Sequence, residues 1–241
     1  MIRETARVLV IGVGGLGCPA LMALGRAGVG TIGLCDDDTV ELTNLHRQIL
    51  FRESDVGRPK VEVAAQALAS LGGGVDVRVH PTRLLPDNAV DRVRGYDVVV
   101  EGSDNFATKF LAADACALAG VPVVHAAAVR WVGTTLAVGA RARPCYRCLF
   151  EDVPAGSEAP NCAEAGVMGP VVGVVAACQV DLALALVDGR DVAGELVTFD
   201  GRTDALRRRV LRPRRGCSLC GDAPTIRRIR PETYVPPVCT Q

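Results

Sequence analysis

Short apolar segments alternate with longer amphipathic ones through the first half of the chain. Residues 7–11 and 31–35 predict buried strands, and between them a glycine-rich turn at 12–17 leads into a helix that ends near residue 28. The elements predicted next are a helix at 59–71, a strand at 75–79, a strand at 96–101, a helix at 105–119 and a strand at 121–125. This alternation predicts an α/β fold with a Rossmann-like, mostly parallel sheet and helices on both faces.

The pattern changes after residue 133. Residues 134–138 alternate in polarity like an antiparallel strand, and residues 152–160 are rich in Pro, Gly and Glu, as expected of a mobile loop. The elements predicted after the loop are a long apolar helix at 170–187 and strands at 195–200 and 207–211. Gln179 and Asp181 interrupt the apolar helix, which favours a buried helix over a membrane span.

Composition restricts the classes of function. The 241 residues are 49% apolar and 22% charged, enough to bury a large core. Lys plus Arg and Asp plus Glu each number 27, so net charge does not favour nucleic acid or an anionic membrane as a partner. The first residues lack the pattern of a signal peptide, and we therefore expect a cytoplasmic location.

A glycine motif marks a nucleotide site after the first strand. Gly12, Gly14, Gly15 and Gly17 fit G-x-G-x-x-G between a strand and a helix, where backbone amides can approach a phosphate. Asp36 ends the second strand, where a carboxylate accepts hydrogen bonds from ribose hydroxyls. These features alone favour a dinucleotide-dependent dehydrogenase.

Two cations and one carboxylate change that interpretation. Arg47 and Lys60 could hold a triphosphate, and Asp104 follows a strand at the sheet edge where it could hold Mg²⁺. Taken singly, the cations could be solvated surface charges and Asp104 could cap the next helix. As a set in this order, the three residues indicate nucleotidyl transfer.

Seven sequence blocks between about residue 8 and residue 221 carry a family resemblance. They are GVGGLG, DDDTVELTNLHRQ, VGRPK, GSDNF, CYRC, AGVMGP and CSLCG. The chain resembles the ubiquitin-activating-enzyme-like adenylyltransferases, and among them the ThiF/MoeB family of sulfur-carrier protein adenylyltransferases. The resemblance implies ATP with Mg²⁺, a homodimer, and a small ubiquitin-like sulfur-carrier protein of the ThiS/MoaD kind that ends in Gly-Gly. Its terminal carboxylate would attack the α-phosphorus and release pyrophosphate, in preparation for a thiocarboxylate.

The resemblance also assigns roles to residues. It places Asp36 on the ribose, Arg47 and Lys60 on the phosphates, and Asp104 near Mg²⁺. The full nucleotide-binding set that we expect is Gly12, Gly14, Gly15, Gly17, Asp36, Asp38, Asn44, Arg47, Lys60, Asp104 and Asn105. Family members usually carry an arginine before the first strand that reaches the nucleotide of the other subunit. Only about six residues precede the strand here, so either another group replaces that arginine or the reaction is slower.

Four of the ten cysteines have the spacing of zinc ligands. Cys145 and Cys148 form one C-x-x-C pair and Cys217 and Cys220 form another, so one structural Zn²⁺ could clip the C-terminal segment to the body. Two unrelated pairs or a redox pair are the alternatives. Cys162 stands where the family has a cysteine linked to acyl or sulfur transfer. It is either such a nucleophile or an inert loop thiol.

These features divide the chain into three parts. We expect a Rossmann-like ATP-binding region at 1–130, an elaboration of the same domain that binds the carrier and zinc at 131–221, and a tail at 222–241. The sulfur donor would be a separate protein, such as a cysteine desulfurase or a rhodanese. His46, His80 and His125 show no metal or triad pattern and are interpreted as structural. The arginine-rich stretch at 207–215 is interpreted as a solvated face, with an acidic carrier or tRNA as alternative partners.

Three other functions remain open at this stage. The chain could adenylate a small molecule, a peptide natural product or a tRNA base, although the four cysteines favour the carrier branch. It could instead be an inactive scaffold subunit, which the presence of Arg47, Lys60 and Asp104 opposes. An NAD-dependent oxidoreductase would require NAD binding without pyrophosphate exchange.

Overall fold

The protein folds around one eight-stranded sheet. A computed structural model describes residues 3–72, 74–154 and 166–235. The strands are β1 (Arg7–Ile11), β2 (Thr31–Cys35), β3 (Asp76–His80), β4 (Val98–Glu101), β5 (Val123–Val129), β6 (Val132–Val138), β7 (Glu195–Asp200) and β8 (Ala205–Val210). The helices are α1 (Gly17–Arg26), α2 (Lys60–Ser70), α3 (Ala89–Arg94), α4 (Phe106–Ala119), α5 (Tyr146–Leu149) and α6 (Gly169–Val187).

The sheet has a parallel half and an antiparallel half. Its strand order is β3-β2-β1-β4-β5-β6-β7-β8. Neighbours from β3 to β5 pair in parallel, and those from β5 to β8 pair antiparallel. The predicted fold class is therefore confirmed: a mostly parallel Rossmann-like arrangement extended by antiparallel strands. Because β5 and β6 pair directly, the sheet crosses the expected boundary at residue 130 without a break.

Apolar side chains cover both faces of the sheet. One buried cluster combines the strands with α1, α2 and α6, and the other combines them with α3, α4 and α5. By length and composition α6 could cross a membrane, but 56% of its most apolar window is buried inside the protein. It packs on β4, β5 and β6 and beside α1, as expected of a core helix.

The structure differs from the sequence prediction mainly where tertiary contacts decide. α3 was not predicted, because six residues carry too little periodicity to distinguish a helix from a turn. β5 extends to Val129, beyond the predicted end at residue 125, because all seven of its residues pair with β6. The four-residue helix α5 was not predicted either. The other predicted strand and helix ends agree to within about two residues, the usual uncertainty of such boundaries.

Three parallel strands end side by side and position the site. Ile11, the last residue of β1, is the register partner of Cys35 in β2 and of Glu101 in β4. The residues that follow these strands therefore emerge at one edge of the sheet. In open α/β sheets this carboxyl edge is where ligands bind.

Candidate active site

A cavity of about 520 Å³ opens at the carboxyl edge of β1, β2 and β4. Ten of the eleven residues predicted to bind nucleotide line it: Gly12, Gly14, Gly15, Asp36, Asp38, Asn44, Arg47, Lys60, Asp104 and Asn105. A volume of this size is in the usual range for a small-molecule site. The structure thus brings together residues that the sequence spreads from position 12 to position 105.

The glycine turn depends on close backbone approach. Gly12 has φ +86°, a left-handed conformation that favours glycine, and a Cβ there would lie 3.0 Å from backbone atoms of Gly102 and Ser103. Gly17, the eleventh predicted residue, does not line the cavity. A Cβ at Gly17 would lie 2.1 Å from the carbonyl oxygen of Gly12, so this glycine is required to close the turn.

Asp36 stabilises the floor of the cavity through the backbone. Its Oδ2 accepts a hydrogen bond from the Val13 amide at 2.6 Å, and its Oδ1 accepts one from the Asp38 amide at 2.8 Å. Burial raises the pKa of the Asp36 carboxyl, while these amides and the charge of Lys60 act in the opposite direction. Each carboxylate oxygen keeps a second lone pair, which leaves acceptor capacity for a ribose hydroxyl.

Replacement of Asp36 by Ala is expected to weaken nucleotide binding. The variant loses the hydrogen bond that holds the glycine turn at Val13, the one to the Asp38 amide, and the proposed ribose acceptor. Because hydrogen bonds to a charged group contribute ~1.5–3 kcal/mol each, we expect the KM for ATP to rise by at least about tenfold. Steady-state kinetics with varied ATP would measure this. An unchanged KM would contradict the assignment of Asp36 to the ribose.

Arg47 is held in place by a chain of side-chain hydrogen bonds. Its Nη2 donates to Asn44 Oδ1 at 2.8 Å, and Asn44 Nδ2 donates to Glu41 Oε2 at 3.1 Å. The aliphatic part of Arg47 packs over Gly15, where a Cβ would lie 3.3 Å from its Cδ. The guanidinium is therefore directed toward the cavity with few alternative positions.

Lys60 begins α2 and pairs with Asp38. Its Nζ lies 2.9 Å from Asp38 Oδ2, and its side chain is 6% exposed whereas that of Asp38 is 57% exposed. The interpretation of Lys60 as a solvated surface charge is therefore wrong. A buried ammonium with one exposed partner can exchange that partner for a phosphate oxygen at little cost in desolvation.

Asp104 and Asn105 occupy the turn between β4 and α4. Asn105, and not Asp104, caps the helix, since its Oδ1 accepts from the Thr108 amide at 2.8 Å. The alternative role of Asp104 as helix cap is therefore wrong, and its exposed carboxylate lines the cavity. Mg²⁺ commonly binds one or two carboxylates together with waters and substrate phosphates, which Asp104 fits, and this metal role stays a prediction.

A second, smaller cavity adjoins the first. It measures about 310 Å³ and shares Asp104, Asn105 and Ala127 with the first cavity. Its walls are mainly apolar and include Phe106, Val129, Leu136, Tyr146, Leu149, Phe150 and Leu196. This cavity was not predicted from the sequence, because its walls come from β5, β6, β7, α4 and α5 and meet only in the folded chain.

A buried charged cluster lies beside the second cavity, which two of its members, Lys109 and His125, line. Glu101 is fully buried, and its Oε2 accepts from Lys109 Nζ at 2.9 Å and contacts His125 Nδ1 at 3.2 Å. Its Oε1 accepts from the backbone amide of Ser103 at 2.8 Å and from the Ser103 hydroxyl. Glu101 therefore anchors the turn that carries Asp104. Neither Glu101 nor Lys109 was predicted as a site residue, because a buried ion pair between separate elements leaves no local sequence pattern.

We expect Glu101→Gln to destabilise the protein in a pH-dependent way. Burial by itself raises the pKa of Glu101, but Lys109, His125 and Ser103 lower it to about 2 from its ordinary 4.5. The carboxylate thus contributes stability above pH 4.5, and that contribution is lost as the pH falls toward 2. Breaking a buried pair costs ~3–5 kcal/mol, so urea denaturation at about pH 7 should show a loss of that size. If the difference in unfolding free energy between wild type and Glu101→Gln were as large at about pH 3 as at about pH 7, this account would be contradicted.

The four predicted zinc ligands lie together. Sulfur–sulfur distances are 4.0 Å for Cys145–Cys148, 3.5 Å for Cys145–Cys217 and 3.3 Å for Cys148–Cys220, and all four sulfurs lie within 4.8 Å of one another. Tetrahedral zinc with Zn–S bonds of ~2.3 Å separates its sulfurs by ~3.8 Å. The cluster therefore fits one Zn²⁺ with no open coordination position. Its helix α5 also supplies Tyr146 to the second cavity.

Comparison with known proteins establishes the family. The model of the ThiF family matches residues 2–219. The chain belongs to the ThiF family. It is 41% identical over 229 residues to the adenylyltransferase and sulfurtransferase MOCS3 of Anopheles gambiae, over 94% of this chain and 52% of that protein. It is also 41% identical over 233 residues to the sulfur carrier protein adenylyltransferase of Thermus thermophilus, over 94% of this chain and 86% of that protein.

Solved structures confirm the fold. A crystal structure of E. coli MccB with ATP matches with a TM-score of 0.79 and 22% sequence identity, over 91% of this chain and 68% of that one. At this identity the likeness supports the fold alone. The ThiF-family chain spans about half the length of the MOCS3 relatives it matches. These relatives are named adenylyltransferases, which does not support the NAD-dependent oxidoreductase interpretation.

Two further residues line the site of this ThiF-family chain but were not predicted from the sequence, and one predicted residue lies outside the described part of the chain. Gln48 lines the cavity, is 3% exposed, and has no hydrogen-bond partner for Oε1 among the described residues. Its position directly after Arg47 was the only signal. Arg83 also lines the cavity and pairs with Asp37 at 3.2 Å, but no motif surrounds it. Cys162 lies outside the described residues, so its predicted role in acyl or sulfur transfer stays a prediction.

Proposed function

We propose that this chain adenylates the C-terminal carboxylate of a small ubiquitin-like sulfur-carrier protein that ends in Gly-Gly. The observation that supports this most is the single cavity that contains the glycine turn, Arg47, Lys60 and Asp104. The names of relatives such as the sulfur carrier protein adenylyltransferase of Thermus thermophilus support the same substrate class. The product would be a carrier acyl-adenylate, ready for conversion to a thiocarboxylate by a separate sulfur donor such as a cysteine desulfurase or rhodanese.

The proposed reaction needs no covalent enzyme intermediate. An ionised carboxylate oxygen of the carrier attacks the α-phosphorus of ATP, the bond from that phosphorus to the β-phosphate oxygen breaks, and pyrophosphate leaves. Because the nucleophile is already ionised, no proton has to be removed. The protein would act by positioning the two reactants and by offsetting negative charge on the phosphates with Arg47 and Lys60.

Two cofactors and a second subunit complete the proposal. Mg²⁺, held near Asp104, would neutralise charge on the phosphates, and Zn²⁺ on the four clustered cysteines would be structural. The homodimer and the cytoplasmic location stay predictions. The carrier tail would reach the α-phosphate from the second cavity, which meets the nucleotide cavity at Asp104 and Asn105.

Carrier-dependent ATP–pyrophosphate exchange tests the proposed function. Purified protein would be assayed with recombinant ubiquitin-like carriers that end in Gly-Gly, and with the same carriers lacking the last glycine as matched controls. Exchange that requires the intact Gly-Gly end supports the proposal. Absence of exchange with every carrier, together with intact ATP binding, would favour an inactive scaffold. Exchange supported by a peptide, a small molecule or tRNA instead would identify one of the other adenylation substrates.

A further inference from the structure

His125 combines complete burial with an unused hydrogen-bonding atom beside the second cavity. The residue is 2% exposed, lines that cavity, and packs against Tyr146 with ring centroids 4.5 Å apart. Its Nδ1 contacts Glu101 Oε2 at 3.2 Å, but its Nε2 is buried and has no partner among the described residues. Buried polar atoms in native proteins are almost always hydrogen-bonded, so a missing partner requires an explanation.

The neighbours of His125 determine which partner Nε2 can take. Glu101 is ionised and can only accept, so the proton of the imidazole must reside on Nδ1, where it is donated to the carboxylate. Burial lowers the pKa of His125, the nearby ammonium of Lys109 lowers it further, and Glu101 and the more distant Asp114 oppose them. The ring is neutral as a result, and Nε2 carries a lone pair. It can accept a hydrogen bond but cannot donate one.

The other polar groups of this region do not satisfy that atom. Lys109 Nζ is engaged by Glu101 Oε2 and by the Ala126 carbonyl oxygen. The facing walls contributed by β6, β7 and α5 are largely apolar, with the hydroxyls of Thr134 and Tyr146 as exceptions. Asp104 and Asn105 also offer acceptors, but they are shared with the first cavity, so in the apolar part of the second cavity a donor brought in by a ligand would find few acceptors besides Nε2. Backbone N–H groups of an extended peptide provide such donors at regular intervals, and they carry no charge that burial would penalise.

We propose that the second cavity binds the peptide segment that precedes the activated carboxylate, and that His125 determines specificity by accepting a backbone N–H of that segment at Nε2. This inference rests on the proposed function, because it concerns the acyl substrate of the same reaction. Glu101 is then a positioning residue, since it fixes the imidazole tautomer that leaves Nε2 as an acceptor. The apolar walls exclude water from this hydrogen bond and favour uncharged side chains in the segment.

The test compares the affinities of a parent peptide and its methylated analogues for wild type and for His125→Phe. A synthetic hexapeptide ending in Val-Gly-Gly, and three analogues methylated singly at its last three peptide nitrogens, would be titrated into full-length protein loaded with a non-hydrolysable ATP analogue. In the wild type, one analogue is expected to bind about five- to tenfold more weakly than the parent, the effect of one lost hydrogen bond. In His125→Phe, which cannot accept, that same analogue should bind as well as the parent peptide.

The outcomes separate this inference from the proposed function. Methylation effects that are the same in wild type and His125→Phe overturn the inference, as does a parent peptide that fails to bind while carrier-dependent exchange persists. The comparison of peptides on wild-type protein does not depend on whether the variant folds. If the three methylated analogues bind wild type with equal affinity, the inference about His125 is also overturned. If wild-type protein shows no carrier-dependent exchange, the proposed function itself is refuted. Glu101→Asp, which preserves the charge that sets the tautomer, should retain the selectivity for the N–H if it folds.

Discussion

Replacement of Arg47 by Ala is expected to lower the rate of carrier-dependent pyrophosphate exchange by about 10²–10³-fold. Asn44 directs the guanidinium to the cavity and the aliphatic part of Arg47 packs over Gly15, so the cation is preorganised for the phosphates of bound ATP. A preorganised cation is most valuable where negative charge develops during transfer. The loss should therefore appear mainly in kcat, with a smaller change in the KM for ATP.

The measurement is steady-state exchange kinetics on wild type and Arg47→Ala at saturating carrier. Arg94→Ala provides a matched control, since Arg94 is an exposed arginine whose only ion pair among the described residues is with Asp91 and which does not line either cavity. Asn44→Ala should show an intermediate loss, because it frees the guanidinium without removing it. If Arg47→Ala exchanged pyrophosphate as fast as Arg94→Ala, the assignment of Arg47 to the phosphates would be refuted.

Removal of zinc is expected to lower the melting temperature of the protein by about 8–16 °C. Metal binding at such sites contributes ~10–16 kcal/mol in small zinc peptides, and retention of even a third of that value, ~4 kcal/mol, shifts the midpoint by this amount in a domain of this size. Other contacts also hold the C-terminal segment to the body, among them the bond from Arg143 Nη1 to the Cys220 carbonyl oxygen at 3.0 Å and the bond from the Tyr234 hydroxyl to Asp114 at 2.9 Å. Metal loss removes the link between the two cysteine pairs, so the C-terminal segment should loosen first while the rest of the chain stays folded.

Metal loss should also affect the two cavities differently. Tyr146, between the ligands Cys145 and Cys148, lines the second cavity, and neither these cysteines nor the second pair line the nucleotide cavity. Chelated protein and Cys217→Ser are thus expected to retain ATP affinity while losing carrier-dependent exchange. Cys178→Ala, at a cysteine outside the cluster, is the control. One zinc per chain by elemental analysis supports the site, and its absence from protein purified without chelators would contradict it.

Local sequence patterns determined most of the secondary structure. β1 and β2 have the predicted bounds because each is a short apolar run bordered by turns, and such runs are stable only as buried strands. The glycine motif determined the turn after β1, since the backbone at Gly12 and Gly17 leaves no room for a side chain. The C-x-x-C spacing predicted each half of the cysteine cluster, because two intervening residues bring two sulfurs to one metal ion.

Only the tertiary structure decided which distant residues meet. The capping role belongs to Asn105 and not to Asp104, a choice between adjacent residues that depends on backbone direction at the start of α4. The ion pair of Glu101 with Lys109, and its contact with His125, join β4, α4 and β5, so no local pattern marks them. Burial, and not sequence spacing, made His125 a neutral acceptor. The sequence thus determined the elements and the nucleotide motif, whereas packing of the sheet against α4 and α5 created the second cavity, because its walls come from segments far apart in the chain.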